Sequence, residues 1–364
     1  MGPGSGGADG EADGSTAGRA GLGADGADVT GPDARGRPDT DASGLPESWI
    51  PDALSETDAD PLWRMSKQPL CVGNLNPTSL SVWSNSNAIF VLAAQVTEQV
   101  IYINSGSGWS EYFRDEPANY SIGLRGFNGD GTLVEYGGYP CGIQFVRGQR
   151  AECAAAARVS SVAVVDETHA FAVERPNVLL FYDGTYWKQL GSPLDFGGGF
   201  ASALWASSDT ILTAGEGGRA YLFRSDSAQP VALPTPPDGD YISAWGFGPT
   251  DLWLGTAAGQ LVHYDGATWR TEWTASEACG GIRGMWGTQG VLYFHTNNDV
   301  NEWKAGSVSP IVALPCDPTE AVKIAEIWGN SLSEVFIATL DTTVDNPCGN
   351  AKLTWFDGQN LRPL

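Results

Sequence analysis

The chain has 364 residues, 42% of them apolar and only 17% charged, with 47 glycines, 14 tryptophans and a formal net charge of −23. Such a charge repels nucleic-acid phosphates and anionic lipid surfaces, so no nucleic-acid partner is expected. The sequence contains no run of about 18 apolar residues, which excludes a membrane-spanning helix, and its opening MGPGSGGADG has neither a basic start nor an apolar run and is not expected to act as a signal peptide as written.

Residues 1–60 differ from everything after them. They carry 13 acidic and 3 basic residues, a net of −10, and almost no large apolar side chain before Trp49 and Ile50. Such a segment cannot bury enough surface to offset chain entropy, and its like charges extend it, so it reads as a disordered acidic linker. Its GADG units lack the regular nonapeptide spacing of an Asp-rich calcium-binding repeat.

Residues 61–364 form the second unit and are repetitive. An aliphatic residue, two variable residues, a second aliphatic and a Trp recur as SLSVW ending at Trp83, ASALW at Trp205, YISAW at Trp245, IRGMW at Trp286 and IAEIW at Trp328. Two worn copies read as LRGFN ending at Asn128 and VSSVA ending at Ala163, which gives successive spacings of 45, 35, 42, 40, 41 and 42. After each Trp comes a polar turn, then a short apolar strand, a Gly-containing turn and two further strands. LLFYDGTYW (179–187), LVHYDGATW (261–269) and LTWFDGQNL (353–361) repeat the last hairpin, and adjacent Asp-Gly is the preference of a two-residue type I′ turn. Four short antiparallel strands every 40–45 residues predict an all-β fold, a seven-bladed β-propeller of four-stranded blades. A chain of separate 40-residue β-domains is disfavoured because units that small do not bury a stable core alone, and a parallel β-helix has shorter coils.

The units resemble the Trp-Gly / Tyr-Asp-Gly-x-x-Trp propeller repeats of secreted proteins and lipoproteins of high-GC Gram-negative bacteria, most closely over ISAWGFGPTDLWLGTAAGQLVHYDGATW (242–269) and the lead-in CVGNLNPTSLSVW (71–83). The resemblance implies the propeller fold and an extracellular or outer-membrane-anchored location, and residues 1–45 are similar to the Asp/Gly/Ala-rich spacer that follows the lipid-bearing Cys of such proteins. Membrane contact is then expected only through a lipid anchor outside this sequence.

Six cysteines without CxxC spacing disfavour a zinc knuckle and leave three disulfides or six buried thiols. Blade topology favours disulfides. Cys141 and Cys153 flank the turn at Arg147-Gly148 as opposite partners of a hairpin, Cys279 and Cys316 lie in crossovers between blades, Cys348 in an inner turn and Cys71 ahead of the first blade, all on one face. Neighbour pairing gives Cys141–Cys153, Cys279–Cys316 and Cys71–Cys348; Cys316–Cys348 with Cys71–Cys279 is the rival. The last of the neighbour pairs would clamp the ring, because no N-terminal strand completes the final blade.

Catalytic motifs are absent: there is no GxSxG elbow, no GxxxxGK[ST] phosphate loop and no HExxH, and FNGDGT (127–132) lacks the spaced acidic ligands of a calcium loop. No metal site and no cofactor are expected. His169 stands alone, His263 reads as a hairpin packing residue, and His295 with Asn297, Asn298 and Asp299 as a turn. Among the variable inner-strand positions Arg125, Arg283 and Glu326 stand out as axial ligand-binding candidates: two arginines could clamp a carboxylate, against the simpler reading of an internal ion pair. The expected function is a non-enzymatic binding or scaffold propeller, monomeric, taking a protein or glycan ligand. The alternative is a carbohydrate-active enzyme, a glycosidase or lyase, with two carboxylates in the axial channel or on the loop face.

Overall fold

The computed structural model describes residues 70–364 apart from 73–76, 96, 116–120, 128–130, 139–140, 157, 226, 232, 318–320 and 342–349; the expected acidic linker, 1–60, lies outside the described residues. Among the described residues twenty-eight strands form seven four-stranded antiparallel sheets arranged as a propeller ring, each sheet ordered along the chain from the axis outward. Blade 1 holds β1 (Ser79–Ser84), β2 (Ile89–Ala94), β3 (Gln99–Asn104) and β4 (Trp109–Asp115); blade 2 holds β5 (Gly123–Gly126), β6 (Leu133–Tyr136), β7 (Ile143–Arg147) and β8 (Arg150–Ala155). Blade 3 holds β9 (Val159–Asp166), β10 (His169–Glu174), β11 (Val178–Tyr182) and β12 (Trp187–Gln189); blade 4 holds β13 (Ala201–Ala206), β14 (Thr210–Gly215), β15 (Ala220–Arg224) and β16 (Pro230–Val231). Blade 5 holds β17 (Tyr241–Gly248), β18 (Asp251–Thr256), β19 (Gln260–Tyr264) and β20 (Trp269–Thr274), and blade 6 holds β21 (Gly284–Thr288), β22 (Val291–His295), β23 (Asp299–Lys304) and β24 (Ser307–Ala313). Blade 7 ends the chain with β25 (Val322–Ser331), β26 (Glu334–Asp341), β27 (Ala351–Phe356) and β28 (Leu361–Pro363).

Position in the blade explains each strand's composition. The second strands are covered on both faces by neighbouring blades, so they are unbroken apolar runs: all six residues of IFVLAA in β2 and of TILTAG in β14 are buried. The outer strands border solvent and are mostly exposed, as in β8 and β20.

The tryptophan stripe is the packing device between blades. Trp83, Trp205 and Trp286 each lie flat on a glycine of the following inner strand, Gly126, Gly246 and Gly329, where an added Cβ would stand 2.7, 2.8 and 2.7 Å from ring carbons. The glycine thus leaves the room that the preceding blade's indole fills. The pairing registers also correct the second repeat. Gly126 pairs with Leu133 as Gly246 pairs with Leu252, so Arg125, not Asn128, occupies the tryptophan place. Asn128 itself lies outside the described residues. Spacings along the repeat become 42, 38, 42, 40, 41 and 42, more regular than the sequence motif suggested, because a cation in an aromatic position hides the match.

The Asp-Gly turns differ from the two-residue I′ expectation. Asp265 opens a four-residue loop in which Tyr264 pairs with Trp269, its carboxylate accepting the N–H groups of Ala267 and Thr268 at 3.0 and 2.9 Å. Gly266 alone takes positive φ, +90°, and Gly184 and Gly358 do the same at +88° and +87°. Asp183 and Asp357 cap their loops identically, at 3.0 and 2.9 Å and at 3.0 and 2.7 Å. The carboxylate supplies the acceptor that a longer loop leaves missing. These N–H groups hold the Asp265 carboxyl below its ordinary pKa.

Two of the three expected disulfides are present: Cys141–Cys153 with Cα atoms 5.6 Å apart, and Cys279–Cys316 at 4.6 Å. Cys153 lies within β8 rather than after it. Cys71 is also disulfide-bonded; Cys348, its expected partner, lies outside the described residues.

Gly246→Ala is expected to lose about 1–3 kcal/mol of stability by forcing Trp205 off its seat. Gly248→Ala, two residues along the same strand with nothing within 4 Å of the new Cβ, is expected to change stability far less. Urea unfolding midpoints of the two variants provide the comparison.

Candidate functional site

Each inner strand turns an unpaired edge toward the axis, and an edge strand carries backbone groups in search of partners. Among the described residues every blade interface has at least one polar tie at this edge. Ser160 Oγ donates to the Ala201 carbonyl at 2.9 Å, Ser202 Oγ to that of Tyr241 at 2.9 Å and Ser243 Oγ to that of Ile282 at 2.7 Å. Val159 N–H donates to Gly137 O at 3.4 Å and Ile324 N–H to Asn297 O at 2.7 Å. The Ser160 and Ser202 hydroxyls come from a recurrent β-bulge, and Ser243 follows one: Ser160, Ser202, Ile242 and Ala325 are the extra residues in blades 3, 4, 5 and 7.

The remaining two interfaces are joined by one carboxylate. Glu326 Oε2 in β25 accepts the Val82 N–H at 2.8 Å and the Ser81 hydroxyl, both in blade 1. Ser81 Oγ in turn accepts the Leu124 N–H of blade 2 at 2.9 Å. Glu326 Oε1 meets Arg125 Nη1 of blade 2 at 2.8 Å, and that guanidinium lies over the Trp328 ring of blade 7, 5.0 Å from its centroid. The ion pair therefore reaches from the last blade across the first to the second. Burial alone would lower the Arg125 pKa, but the neighbouring Tyr136 and Glu326 outweigh it and hold the guanidinium charged. Tyr136, buried beside them, has its phenol pKa raised.

Arg283 stands elsewhere. Its N–H pairs with His295 O as that of Ile122 pairs with Tyr136 O, so Arg283 matches Ile122, three residues before Arg125. At strand rise this is a separation of about 10 Å along the inner strand. The two arginines do not share a level and do not form the expected clamp. Arg283 is exposed at the crossover end of the axis. Beside it, His295 is fully enclosed: burial pulls its pKa down to about 4, and the Arg283 charge adds to this. Its Nδ1–H donates to Thr296 O at 2.8 Å. Thr296 Oγ1 accepts the N–H groups of Asn298 and Asp299 at 3.2 and 3.0 Å, so the expected turn is formed. His263 packs as expected, stacked 3.9 Å from Trp253, with Nε2 2.9 Å from an Asp251 oxygen that also accepts Trp253 Nε1–H at 2.8 Å. His169 lies 3.0 Å from Asp166 at an exposed turn.

The crossover end also exposes apolar surface. Ile122 and Phe200, at the starts of the inner strands of blades 2 and 4, are 42% and 37% exposed, and the Arg175 guanidinium lies 5.2 Å from the Phe200 ring centroid. Cys279, in the crossover after β20, and Cys316, in the crossover after β24, staple neighbouring loops of the same end.

One group that sequence reasoning passed over is Glu135 in β6. Its Oε2 accepts both Gln99 Nε2–H of blade 1 at 3.1 Å and Gln144 Nε2–H of β7 at 3.2 Å, while Glu135 Oε1 and Gln99 Oε1 are buried with no partner. Burial, with the Asp115 charge adding to it, pushes the Glu135 pKa up to about 8. A neutral carboxyl turns Oε1 into a donor, the group type that the orphaned Gln99 carbonyl lacks. Only the fold brings positions 99, 135 and 144 together, so no sequence signal could have found them.

No family model and no curated protein sequence matches the chain. Solved structures match its fold: a chain of a mitotic checkpoint complex crystal structure (14% identity, TM-score 0.59, 81% of this chain and 92% of that one), YCF48 from Cyanidioschyzon merolae (12%, 0.57, 80% and 99%) and the computationally designed Ika8 protein (12%, 0.55, 81% and 99%). At such identities the likeness establishes the propeller alone.

Glu326→Ala is expected to cost about 3 kcal/mol in urea unfolding, since it strands Arg125 and the Val82 N–H, and Glu326→Gln less, because the amide oxygen still accepts from blade 1. Glu135 sets a pH dependence. Its pKa is raised from 4.5 to about 8 on folding, so between those values the folded chain holds a proton that the unfolded chain has released. Stability therefore falls as pH rises from about 4.5 to about 8, by about 3–5 kcal/mol in all, and levels off above. Thermal unfolding across that range is expected to show this slope in the wild type and a flatter profile in Glu135→Gln.

Proposed function

We propose that the chain is a non-enzymatic binding or scaffold propeller that works as a monomer outside the cytosol and takes a protein or glycan ligand on its crossover face. The observation that carries this reading is the stapling of that face by Cys279–Cys316 and Cys141–Cys153. Disulfides persist in oxidising compartments, and loops fixed before binding lose less entropy on it. Exposed aromatic and arginine side chains are the residue types that anchor ligands, and Phe200, Arg175 and Arg283 supply them at one end of the axis. In this reading Arg283 is the ligand contact among the three axial candidates, while Arg125 and Glu326 serve ring closure. The resemblance of the repeats to those of secreted proteins and lipoproteins adds a cell-surface or outer-membrane setting.

One observation favours a carbohydrate-active enzyme as the second reading. A shallow, open depression of about 620 Å³ lies where the loops of blades 4 and 5 meet, lined by Asp238 and Asp240 with Gly217, Gly239, Ala257 and Ala258. Two carboxylates in an open groove are the minimum for glycoside chemistry.

The test is a glycan array, with a displayed-peptide library in parallel, probed with the full chain. Phe200→Ala and Arg283→Glu are expected to weaken capture at least tenfold, and Tyr186→Ala, exposed at the opposite end, to leave it unchanged. Capture that ignores both crossover-face variants would refute the assignment of the face. Turnover of a captured glycan that is lost in Asp238→Asn/Asp240→Asn would establish the enzyme instead.

A further inference from the structure

The Cys279–Cys316 staple has a third participant that its structural role does not use. Asp299, at the start of β23 (Asp299–Lys304), points a carboxylate oxygen at Cys316 Sγ from 3.8 Å. No cation pairs with that carboxylate among the described residues. Both sulfurs and the carboxylate oxygen lie within 4.8 Å of one another, and Ser276 Oγ is 2.9 Å from Cys279 Sγ. A half-buried acid with no cation beside it among the described residues is placed unfavourably and gives the disulfide nothing.

The same atoms make sense around a cation. We propose that, once the disulfide is reduced, Cys279, Cys316 and Asp299 form a binding site for a divalent thiophilic metal of the zinc or cadmium class. Metal–sulfur distances of about 2.3 Å and metal–oxygen distances of about 2.0–2.2 Å at tetrahedral angles put S and O ligand atoms about 3.5 Å apart, close to the separation already present between Asp299 and Cys316. The chemistry balances as two steps. Two equivalents of a thiol reductant become one disulfide while Cys279–Cys316 becomes two thiols. The divalent ion then displaces both thiol protons, making two metal–sulfur bonds and one bond to the Asp299 carboxylate, with the Ser276 hydroxyl or water at the fourth position. Cys279 belongs to the crossover leading into blade 6 and Cys316 to the one leading into blade 7, so the metal holds the same two loops together that the disulfide holds. The cysteines are 37 residues apart, outside any zinc-knuckle spacing, which is why the sequence gives no sign of the site.

Cadmium titration tests this, with the full chain reduced by a dithiol, desalted anaerobically and followed by the thiolate-to-cadmium charge-transfer band in the ultraviolet. The wild type is expected to bind tightly, Asp299→Asn at least tenfold more weakly, and Cys279→Ser/Cys316→Ser to lose this binding, whereas Cys141→Ser/Cys153→Ser keeps it. Asp299→Asn retains the disulfide when oxidised, so circular dichroism of its oxidised form checks the fold independently of the metal. Wild-type affinity in Asp299→Asn, or an undiminished band in Cys279→Ser/Cys316→Ser, would overturn the proposal.

Discussion

A ring of radial sheets must close on itself, and here it closes without sharing a strand. All four strands of blade 7 come from residues 322–363, and all four strands of blade 1 from residues 79–115. Among the described residues blades 7 and 1 therefore meet through side chains packed face to face and a few hydrogen bonds, beside the disulfide that Cys71 makes. Leu70 N–H donates to Leu364 O at 3.1 Å, and Val82, Ile89 and Val91 of blade 1 share a core with Phe336, Ala338 and Leu353 of blade 7. Apolar contact supplies most of the cohesion, but it is non-directional and does not fix register. Glu326 adds the direction, because its two oxygens must meet a backbone N–H, a hydroxyl and a guanidinium at once. Arg125 and Glu326, two of the three axial charges, thereby pair with each other across the closure of the ring.

The same logic runs around the ring on a smaller scale. Trp83, Trp205 and Trp286 each lie on a glycine of the next blade, and each inner edge is tied to a neighbour by a hydroxyl, a carboxylate or a backbone group. The bulges in blades 3, 4, 5 and 7 place Ser160, Ser202, Ile242 and Ala325 at the axial edge, and the two serines among them become lateral ties. A ring held this way leaves the loops at the crossover end free to vary, which is where disulfides and the exposed Phe200 and Arg283 gather.

How much of this could be read from the sequence follows from how local each feature is. The blade count, the strand order and the two disulfides within or between neighbouring loops depend on spacing of a few to about 40 residues, and spacing is visible. The repeat register in blade 2 is hidden in the sequence because Arg125 stands where other blades carry Trp or a small apolar residue, so the motif points to Asn128 instead. The Asp-Gly pair marks a turn but not its length, because the preference for adjacent Asp and Gly is shared by loops that Asp caps with its carboxylate. Arg125 and Glu326 were singled out as charges in an inner strand. Their mutual pairing, 201 residues apart in sequence, and the separation of Arg283 from both depend on ring geometry. The Glu135 cluster and the Asp299–disulfide contact carry no periodic signal at all.

The claim that lateral packing locked by Glu326 closes the ring is tested most directly by residue-resolved hydrogen exchange of Glu326→Ala against the wild type. The account predicts faster exchange in β1 and β25, with the second strands of blades 4 and 5 protected as before. Unchanged protection in β1 and β25, or acceleration spread evenly over all seven blades, would contradict it.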